Sequence, residues 1–310
     1  MTGDAAISVE GLTKKFGNRT VVDNVSLEVG RGRICGFLGP NGSGKTTTLR
    51  MICGLLIPDG GGGEVLGMDL RTQRELIKRR IGYMTQRFGL FEDLTIRENL
   101  AFVADAYGLD EKTKRVDAAL ERLGLETRAD QLAGTLSGGW KQRLALAACV
   151  LHDPEILLLD EPTAGVDPLA RREFWDQVHM LSAEGTTLLV SSHYMDAAGR
   201  CHDIAYIAYG VLLARGTAEE IVAQSGLVAL AGEGPGADRL APKLERAPGV
   251  AMAAAFGPTV HVCGRDMAAL RAAVADIAPD ISWRETEPTL EDVFIHLMRG
   301  ATDNSTEPRT

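Results

Sequence analysis

Apolar and polar residues alternate along residues 5–30, where ISVEGLTKKFG is followed by VVDNVSLEV. A period of two is typical of half-buried antiparallel strands. Further along the chain, helical stretches separate four short and largely apolar runs, RICGFLG, RIGYMTQ, EILLLDE and TTLLVSSH. Such runs predict a parallel sheet that is buried on both faces. The pattern therefore favours an α/β fold with an antiparallel β subdomain and a parallel core sheet.

The segment at residues 87–148 is mostly helical in pattern, which predicts a helical subdomain. The character of the chain changes again after Gly216, and after the loop-like segment at residues 232–237 the pattern reads strand, helix, strand, strand, helix, strand, helix. This order predicts a small α+β domain with a ferredoxin-like plan. We therefore expect a first domain at residues 5–225, an accessory domain at 226–300 and a disordered tail at 301–310. The glycine run at residues 60–63 predicts a loosely held hairpin, because glycine weakens strands.

Composition excludes several classes of protein. The 310 residues are 45% hydrophobic and 24% charged, as in an ordinary globular chain of two domains. A net charge of -9 without a dense Lys/Arg block argues against a nucleic-acid partner. Five scattered cysteines fit neither a disulfide framework nor a zinc site, so we interpret them as core residues in a reducing compartment.

Two further features bear on the location of the chain. Asp4 and Glu10 lie where a signal peptide needs an apolar core, which argues against export. The longest uncharged apolar stretch, residues 204–214, is well short of the roughly 18 residues needed to span a bilayer. We expect a cytoplasmic chain that does not itself cross a membrane.

The clearest chemical motif is GPNGSGKT at residues 39–46, which follows an apolar strand and precedes a helix. It fits the pattern G-x-x-x-x-G-K-[ST] in the context that this pattern requires. Glycines let backbone amides surround phosphate oxygens, Lys45 adds a positive charge, and the Thr46 hydroxyl is a ligand for Mg²⁺. The motif predicts a site for a nucleoside triphosphate.

Polar residues also stand at the ends of three other predicted parallel strands. Asp160 and Glu161 end ILLLDE, Gln86 ends IGYMTQ, and His193 ends TLLVSSH. Asp160 is placed to reach Mg²⁺, and Glu161 to orient a water towards the terminal phosphate. Ligands of open α/β sheets bind outside the carboxyl ends of the strands, so we expect these side chains to converge.

A second glycine-rich segment, LSGGWKQR, contains no lysine for a triphosphate at the expected place. Ser137 is predicted to cap a helix beginning near Trp140, and the amides of Gly138 and Gly139 are predicted to face an anion. Such a segment is suited to closing over a nucleotide held by another copy. The sequence thus predicts a head-to-tail dimer with ATP between the two copies.

Taken together, these motifs resemble the ATP-binding cassette (ABC) ATPases, in the expected order from about Ile7 to Thr217. The resemblance implies that the fold is a P-loop ABC cassette and that the catalytic residues are Glu161, His193 and Gln86. It implies that Mg²⁺ is bound by Thr46, Gln86 and Asp160. It further implies that Asp167, in the segment called the D-loop, serves communication within the dimer. The resemblance implies that Ser137, Gly138 and Gly139 bind the partner copy's ATP. It also implies ATP-binding residues in the same chain, namely Phe16, Gly39, Pro40, Asn41, Gly42, Ser43, Gly44, Lys45, Thr46 and Thr47.

Within that family the segments at residues 81–100 and 285–297 resemble the ATPases of ABC-2-type exporters, including the daunorubicin-resistance type. The resemblance implies an integral membrane permease as partner and a peripheral location on the cytoplasmic face of the membrane. Trp140 departs from the polar residue that the family usually has in the signature segment. Two alternatives stay open at this point: a soluble ABC ATPase that acts as a mechanical clamp, and a nucleotide-gated scaffold that does not hydrolyse ATP.

Overall fold

A computed structural model describes residues 5–301 of the chain. These residues form two compact units, of which the first ends at Leu212 and the second begins at Leu213. The division comes before the boundary expected at residues 225 and 226, because the helix at residues 218–225 packs against the helix at 290–300 within the second unit. Apart from Ala301, the tail expected at 301–310 lies outside the described residues.

Strands and helices alternate along most of the first unit. The elements up to β10 are β1 Ala5–Phe16, β2 Arg19–Gly30, β3 Ile34–Leu38, α1 Lys45–Ile52, β4 Gly60–Val65, β5 Met68–Asp69, α2 Arg74–Arg80, β6 Ile81–Met84, α3 Ile96–Ala106, α4 Lys112–Arg122, α5 Gly138–Val150, β7 Ile156–Asp160, α6 Pro168–Ala183, β8 Thr187–Ser192, β9 Asp203–Ala208 and β10 Val211–Gly216. The later elements are α7 Ala218–Ser225, β11 Val228–Glu233, α8 Ala241–Leu244, β12 Met252–Phe256, β13 Thr259–Gly264, α9 Met267–Ile277, β14 Ser282–Thr286 and α10 Leu290–Gly300.

The antiparallel sheet has the strand order β2-β1-β4-β5. Ile7, Val9 and Leu12 of β1 are buried in the main hydrophobic core, and a register shift between Val9 and Leu12 interrupts the strict alternation. The glycine run at residues 60–63 lies in β4 and pairs with β1, with Gly63 opposite Val9. The predicted loose hairpin is therefore part of this sheet, and at Gly61 and Gly63 the backbone of β1 lies too close for a side chain.

The core sheet has the order β10-β9-β3-β8-β7-β6. Strands β9, β3, β8, β7 and β6 are parallel to their neighbours in this order. Every residue of β3, β7 and β8 is buried, as the continuous apolar runs predict. The carboxyl ends of these parallel strands meet at one edge, where the polar residues of the candidate site follow them.

Helices α3, α4 and α5 pack on one another and form the predicted helical part. In the second unit, β12-β13-β11-β14 is an antiparallel sheet. Val260 and Val262 of β13 share a hydrophobic core with Leu270 and Val274 of α9. Its strand order agrees with the predicted ferredoxin-like plan. The fold class expected from the sequence is confirmed: a cassette with parallel, antiparallel and helical parts precedes a small α+β domain.

Candidate functional site

The glycine-rich loop connects β3 to α1 and turns where only glycine is unstrained. Gly44 has φ 101°, and a Cβ atom there would lie 2.8 Å from the carbonyl oxygen of Val21. Val21 belongs to β2, so the β1–β2 hairpin packs directly on the loop. The loop conformation is fixed by a glycine and by a neighbouring strand, and its amides precede the N-terminus of α1.

Lys45 is the first residue of α1, and its side chain is buried under the loop. Its Nζ donates hydrogen bonds to the carbonyl oxygens of Gly39 at 2.8 Å and Pro40 at 2.9 Å, and it lies 3.3 Å from Glu161 Oε1. Burial lowers the pKa of Lys45 below its ordinary value, and the Glu161 carboxylate opposes that shift. A buried ammonium group with one carboxylate partner is suited to a further anion.

Ser43 supplies an independent indication that the loop fits phosphate. Its Oγ is buried, and no hydrogen-bond partner for it is found among the residues described by the structure. Buried hydroxyl groups in proteins are normally hydrogen-bonded. A phosphate oxygen in the loop would satisfy this hydroxyl, the loop amides and Lys45 together, so the residues present fit a polyphosphate.

Asp160 accepts hydrogen bonds from three elements at the end of β7. Thr46 Oγ1 and Ser191 Oγ donate to its Oδ1 at 3.0 and 2.8 Å, and the Tyr83 hydroxyl donates to its Oδ2 at 3.4 Å. Burial raises the pKa of Tyr83 to about 12, so this hydroxyl stays protonated and remains a donor. A carboxylate beside a threonine hydroxyl is a set of oxygen donors that fits Mg²⁺, which prefers such ligands.

Glu161 stands at the centre of the polar cluster. Its Oε1 pairs with Lys45, and its Oε2 accepts a hydrogen bond from Gln86 Nε2 at 3.2 Å and lies 3.0 Å from His193 Nδ1. Its amide donates to Ser191 Oγ at 2.9 Å. The carboxylate is buried, and its backbone has φ 48°, which is unusual for a residue other than glycine.

The structure thus brings together six of the predicted site residues, namely Lys45, Thr46, Gln86, Asp160, Glu161 and His193. Around them lie the other predicted loop residues, which are Gly39, Pro40, Asn41, Gly42, Ser43, Gly44 and Thr47. All of them follow the carboxyl ends of neighbouring parallel strands or begin α1, as the sheet topology requires. The cluster can hold a polyphosphate and a divalent cation beside a carboxylate placed to act on water.

Ser137, Gly138 and Gly139 lie elsewhere in the chain, at the start of α5. Within the described residues, no hydrogen bond or ion pair joins residues 137–139 to residues 39–47. A Cβ atom on Gly139 would lie 2.6 Å from Cβ of Ala170 in α6. The signature segment and the start of α6 line a cavity of about 260 Å³.

One sequence prediction about this segment is wrong in its details. Helix α5 begins at Gly138 and not near Trp140. Ser137 occupies the position before the helix, but its side chain makes no capping hydrogen bond to the described part of the chain. Ser137 is exposed. The hydroxyl is therefore available to a ligand from outside this chain.

The tryptophan at position 140, where the family usually has a polar residue, is explained by two arginine side chains that lie over its ring. The guanidinium carbons of Arg128 and Arg143 lie 4.5 and 4.8 Å from the centre of its ring. Arg143 also pairs with Glu173 of α6 at 2.6 Å. Cation–π contacts of this kind stabilise an aromatic ring among arginines, so tryptophan fixes the first turn of α5 to its neighbours.

Asp167 and Phe16 are placed at two other edges of the first unit. Asp167 Oδ1 accepts from the amides of Leu169 and Ala170 at 3.1 and 3.0 Å, and so caps α6. Phe16 ends β1, its ring is 52% exposed, and Lys14 Nζ lies 5.7 Å from the ring centre. An exposed aromatic ring at the end of the hairpin that packs on the phosphate loop is available for stacking on a base.

Sequence reasoning missed Tyr83 and Ser191, although both contact Asp160. Their signal was weak, because each is an ordinary strand residue without a motif of its own. Tyr83 lies three residues before Gln86, and Ser191 lies two residues before His193. Their one signal in the sequence was therefore that each is a polar residue shortly before a predicted site residue at the end of a strand.

Known proteins with similar sequences carry consistent descriptions. Residues 22–164 match the protein family described as ABC transporter. The chain is 38% identical over 304 residues to the Nod factor export ATP-binding protein I of Ralstonia nicotianae, which covers 94% of this chain and 93% of that relative. It is 36% identical over 315 residues to a daunorubicin resistance ATP-binding protein of Streptomyces coeruleorubidus, with coverage of 95% and 96%. These two alignments include both compact units.

A probable multidrug ABC transporter ATP-binding protein of Escherichia coli is 44% identical over 225 residues, which are 72% of this chain. The chain spans 39% of the length of that relative. Among solved structures, an ATP binding subunit of an ABC transporter has TM-score 0.64 and 31% identity, over 71% of this chain and 92% of that one. A dimeric ATP-binding cassette in a post-hydrolysis state with ADP and Pi has TM-score 0.62 and 28% identity, over 68% and 97%.

Proposed function

The chain belongs to the family of ABC transporter ATP-binding proteins, and from this premise we propose that it is the ATP-hydrolysing subunit that powers export through a separate membrane permease. The reaction is the conversion of ATP and water to ADP and phosphate. Relatives that align over nearly the whole chain are named for Nod factor export and daunorubicin resistance. The observation that carries the proposal is the contact of one buried carboxylate, Glu161, with Lys45, Gln86 and His193.

In this proposal ATP binds through the loop at residues 39–47. Its phosphate oxygens take the place of protein atoms around Lys45 Nζ and satisfy the buried Ser43 hydroxyl. Phe16 stacks on the base from the end of β1. Stacking of a base on an aromatic ring contributes about 1–3 kcal/mol and discriminates little between bases. Recognition of the nucleotide therefore depends mainly on the contacts with its phosphates.

The side chains of Thr46 and Asp160 would hold Mg²⁺, and Gln86 lies close by, hydrogen-bonded to Glu161. When bound, the cation supplies positive charge to the phosphate oxygens at which negative charge develops. The protein's own residues fix the donors: Ser191 and Tyr83 orient the Asp160 carboxylate from two neighbouring strands. The Thr46 hydroxyl is held ready by the same carboxylate.

Hydrolysis depends on Glu161, which orients the attacking water towards the terminal phosphate. Its carboxylate is held from both sides in the described structure, by Lys45 on Oε1 and by Gln86 and His193 on Oε2. When phosphate binds Lys45, the ion pair with Glu161 weakens and the carboxylate becomes available to water. His193 then contacts the terminal phosphate and keeps Glu161 in place.

A second copy of the chain completes each site. Ser137, Gly138 and Gly139 of one copy contact the terminal phosphate held by the other, and Asp167 at the start of α6 communicates between the copies. The exposed side chain of Ser137, which makes no capping hydrogen bond to residues 5–301, supports this arrangement. A similar solved cassette is described as a dimer with ADP and Pi.

The permease is proposed to dock beside the segment that follows Gln86. Residues 87–90 line a groove of about 280 Å³ together with residues of α3 and α5. Large apolar side chains are exposed nearby, with Phe91, Phe102 and Tyr107 between 43% and 50% accessible. None of the described helices is long and apolar enough to span a bilayer. A separate permease would place the chain on the cytoplasmic face of the membrane.

The substitution Glu161→Gln tests the proposal directly. We expect retained ATP binding, a hydrolysis rate lower by about 10²–10⁴-fold, the usual contribution of a positioned acid–base group, and a dimer that persists with ATP. Glu121→Gln, at an exposed position of α4, is the matched control and should hydrolyse ATP at the parental rate. Parental turnover in Glu161→Gln would refute the role assigned to Glu161.

A further inference from the structure

The ring of His193 touches a second aromatic ring that the proposed mechanism does not use. Its neighbour in sequence, Tyr194, places its ring centre 4.0 Å from that of His193 at an angle of 38°. The Tyr194 amide donates to Ser192 Oγ at 3.0 Å, which fixes the backbone between the two rings. His193 is therefore held by Glu161 on one side and by Tyr194 on another.

Tyr194 is in turn held by α6. The guanidinium carbon of Arg171 lies 4.6 Å from the centre of the Tyr194 ring, and Arg171 Nη1 lies 3.3 Å from Asp196 Oδ2. Arg171 thus contacts the loop after His193 at two residues, the aromatic ring of Tyr194 and the carboxylate of Asp196. A planar guanidinium group is suited to stacking and ion pairing at the same time.

Arg171 is also connected to the proposed dimer contact at the start of α6. Its amide donates to the carbonyl oxygen of Asp167 at 2.9 Å, a hydrogen bond that closes the first turn of the helix. Asp167 caps the same turn through its carboxylate. A shift of the backbone at Asp167 consequently moves Arg171 with it.

We propose that Tyr194 and Arg171 are positioning residues that hold the His193 ring against Glu161 and transmit displacement of the Asp167 turn to it. This inference rests on the proposed function of Glu161 and His193. Neither Tyr194 nor Arg171 contacts ATP in the proposal. Their effect is on the orientation of His193, so they change the rate of hydrolysis and leave nucleotide binding intact.

Kinetics of four variants test the effect on turnover. We expect Tyr194→Leu to lower kcat about tenfold with KM for ATP unchanged, since loss of orientation at a catalytic group costs up to about 10²-fold. Tyr194→Phe keeps the ring and should restore kcat. Arg171→Met should lower kcat, whereas Arg172→Met, at the exposed neighbouring position, should not. An equal kcat in Tyr194→Leu and the parent protein would overturn the proposal.

Proton NMR of the histidine rings tests the geometry without turnover. The His193 signals are assigned by their loss in His193→Gln, and in nucleotide-free protein they should carry the ring-current shift of Tyr194. Tyr194→Leu should abolish this shift and Tyr194→Phe should keep it. Unchanged His193 signals in Tyr194→Leu would overturn the positioning role even if the protein hydrolyses ATP. A parent protein without ATPase activity but with the expected shift would instead count against the proposed function alone.

Discussion

Ser191 connects the two acidic residues at the end of β7 through a single hydroxyl group. The parallel pairing of β7 and β8 places Ser191 opposite Asp160. Its Oγ donates to Asp160 Oδ1 at 2.8 Å and accepts from the Glu161 amide at 2.9 Å. Ser191 is fully buried, so water does not compete for these bonds. The separation of the two proposed functional carboxylates is consequently fixed from the neighbouring strand.

The substitution Ser191→Ala should therefore weaken both the fold and the site. Removal of the hydroxyl leaves the Glu161 amide without its partner in a buried position, which costs about 1–3 kcal/mol in the free energy of unfolding. Denaturant unfolding measures this loss. Ser8→Ala, at an exposed position of β1, is the control and should change stability little. Equal stability of the two variants would contradict the role of the buried hydroxyl.

Among the individual residues of the site, those that belong to a sequence motif could be predicted, whereas those placed by the pairing of strands could not. Lys45 and Thr46 lie in a loop pattern, and Asp160 and Glu161 are adjacent acids after an apolar run. Ser191, in contrast, lies in an ordinary strand sequence that does not distinguish it from other strand serines. Its contacts arise only from the register of β7 and β8, which α6 separates along the chain.

Strand β4 shows how one element depends on the backbone of another. Gly63 has φ 138°, and a Cβ atom there would lie 2.2 Å from the carbonyl oxygen of Ser8 in β1. Gly62 beside it does not have a positive φ, and the nearest atom to a Cβ atom added there would be Arg71 Nε at 3.8 Å. The prediction of a loose hairpin considered only the intrinsic weakness of glycine in strands. The close approach of β1, which no local pattern reveals, is what requires glycine.

Two single substitutions in β4 separate these effects. Gly63→Ala should lower the free energy of unfolding by at least the roughly 1–3 kcal/mol of a strained backbone position, because β1 must also move. Gly62→Ala should stabilise the protein by about 0.4–1 kcal/mol, since alanine restricts the unfolded chain. Denaturation midpoints of the two variants provide the measurement. The close approach would be disproved by a Gly63→Ala protein as stable as Gly62→Ala.

His152 joins three elements after the end of α5. Its Nε2 lies 3.2 Å from the carbonyl oxygen of Ile81 at the start of β6, and its ring stacks on Tyr107 after α3 with ring centres 4.0 Å apart. Burial lowers the pKa of His152 below its ordinary value of 6.5, against opposing contributions from the Ile81 carbonyl and Asp153. The neutral ring is thus the form that fits between these elements.

This shift predicts a dependence of stability on pH. Below pH 6.5 the unfolded chain takes up a proton at His152 before the folded chain does, so stability falls as pH drops towards the folded pKa. In His152→Gln this contribution is absent. The difference in unfolding free energy between the parent and His152→Gln should therefore decrease from about pH 7.5 to about pH 5. A difference that stays constant over this range would contradict the assignment.

For the whole molecule, periodicity and motif order were sufficient to predict the fold class, because the buried strands of the core sheet and the motifs that follow them have clear local patterns. Two units were expected, but the division lies at residues 212 and 213 instead of 225 and 226. Helix α7 follows the cassette elements directly in sequence, yet it packs on α10 of the second unit. A contact between segments so far apart in the chain leaves no trace in either segment alone.

Sites shared between copies make a further prediction for the assembled molecule. Lys45→Ala and Ser137→Ala should each abolish ATPase activity, because every site in either homodimer lacks one required group. When the two variants are mixed, a mixed dimer has one site with both groups intact, and activity should return. Steady-state ATPase assays of the separate and mixed proteins measure this. A mixture as inactive as its components would exclude sites shared in this way.

The left-handed backbone at Glu161, with φ 48°, has a practical consequence for work with this protein. Such a conformation costs about 1–2 kcal/mol for a residue with a side chain, and glycine avoids that cost. Glutamate nevertheless stays favourable here, because breaking its ion pair with Lys45 would leave a buried ammonium group unpaired, which costs about 3–5 kcal/mol. A variant library screened for heat resistance alone should therefore retain glutamate at position 161, although the residue strains its own backbone.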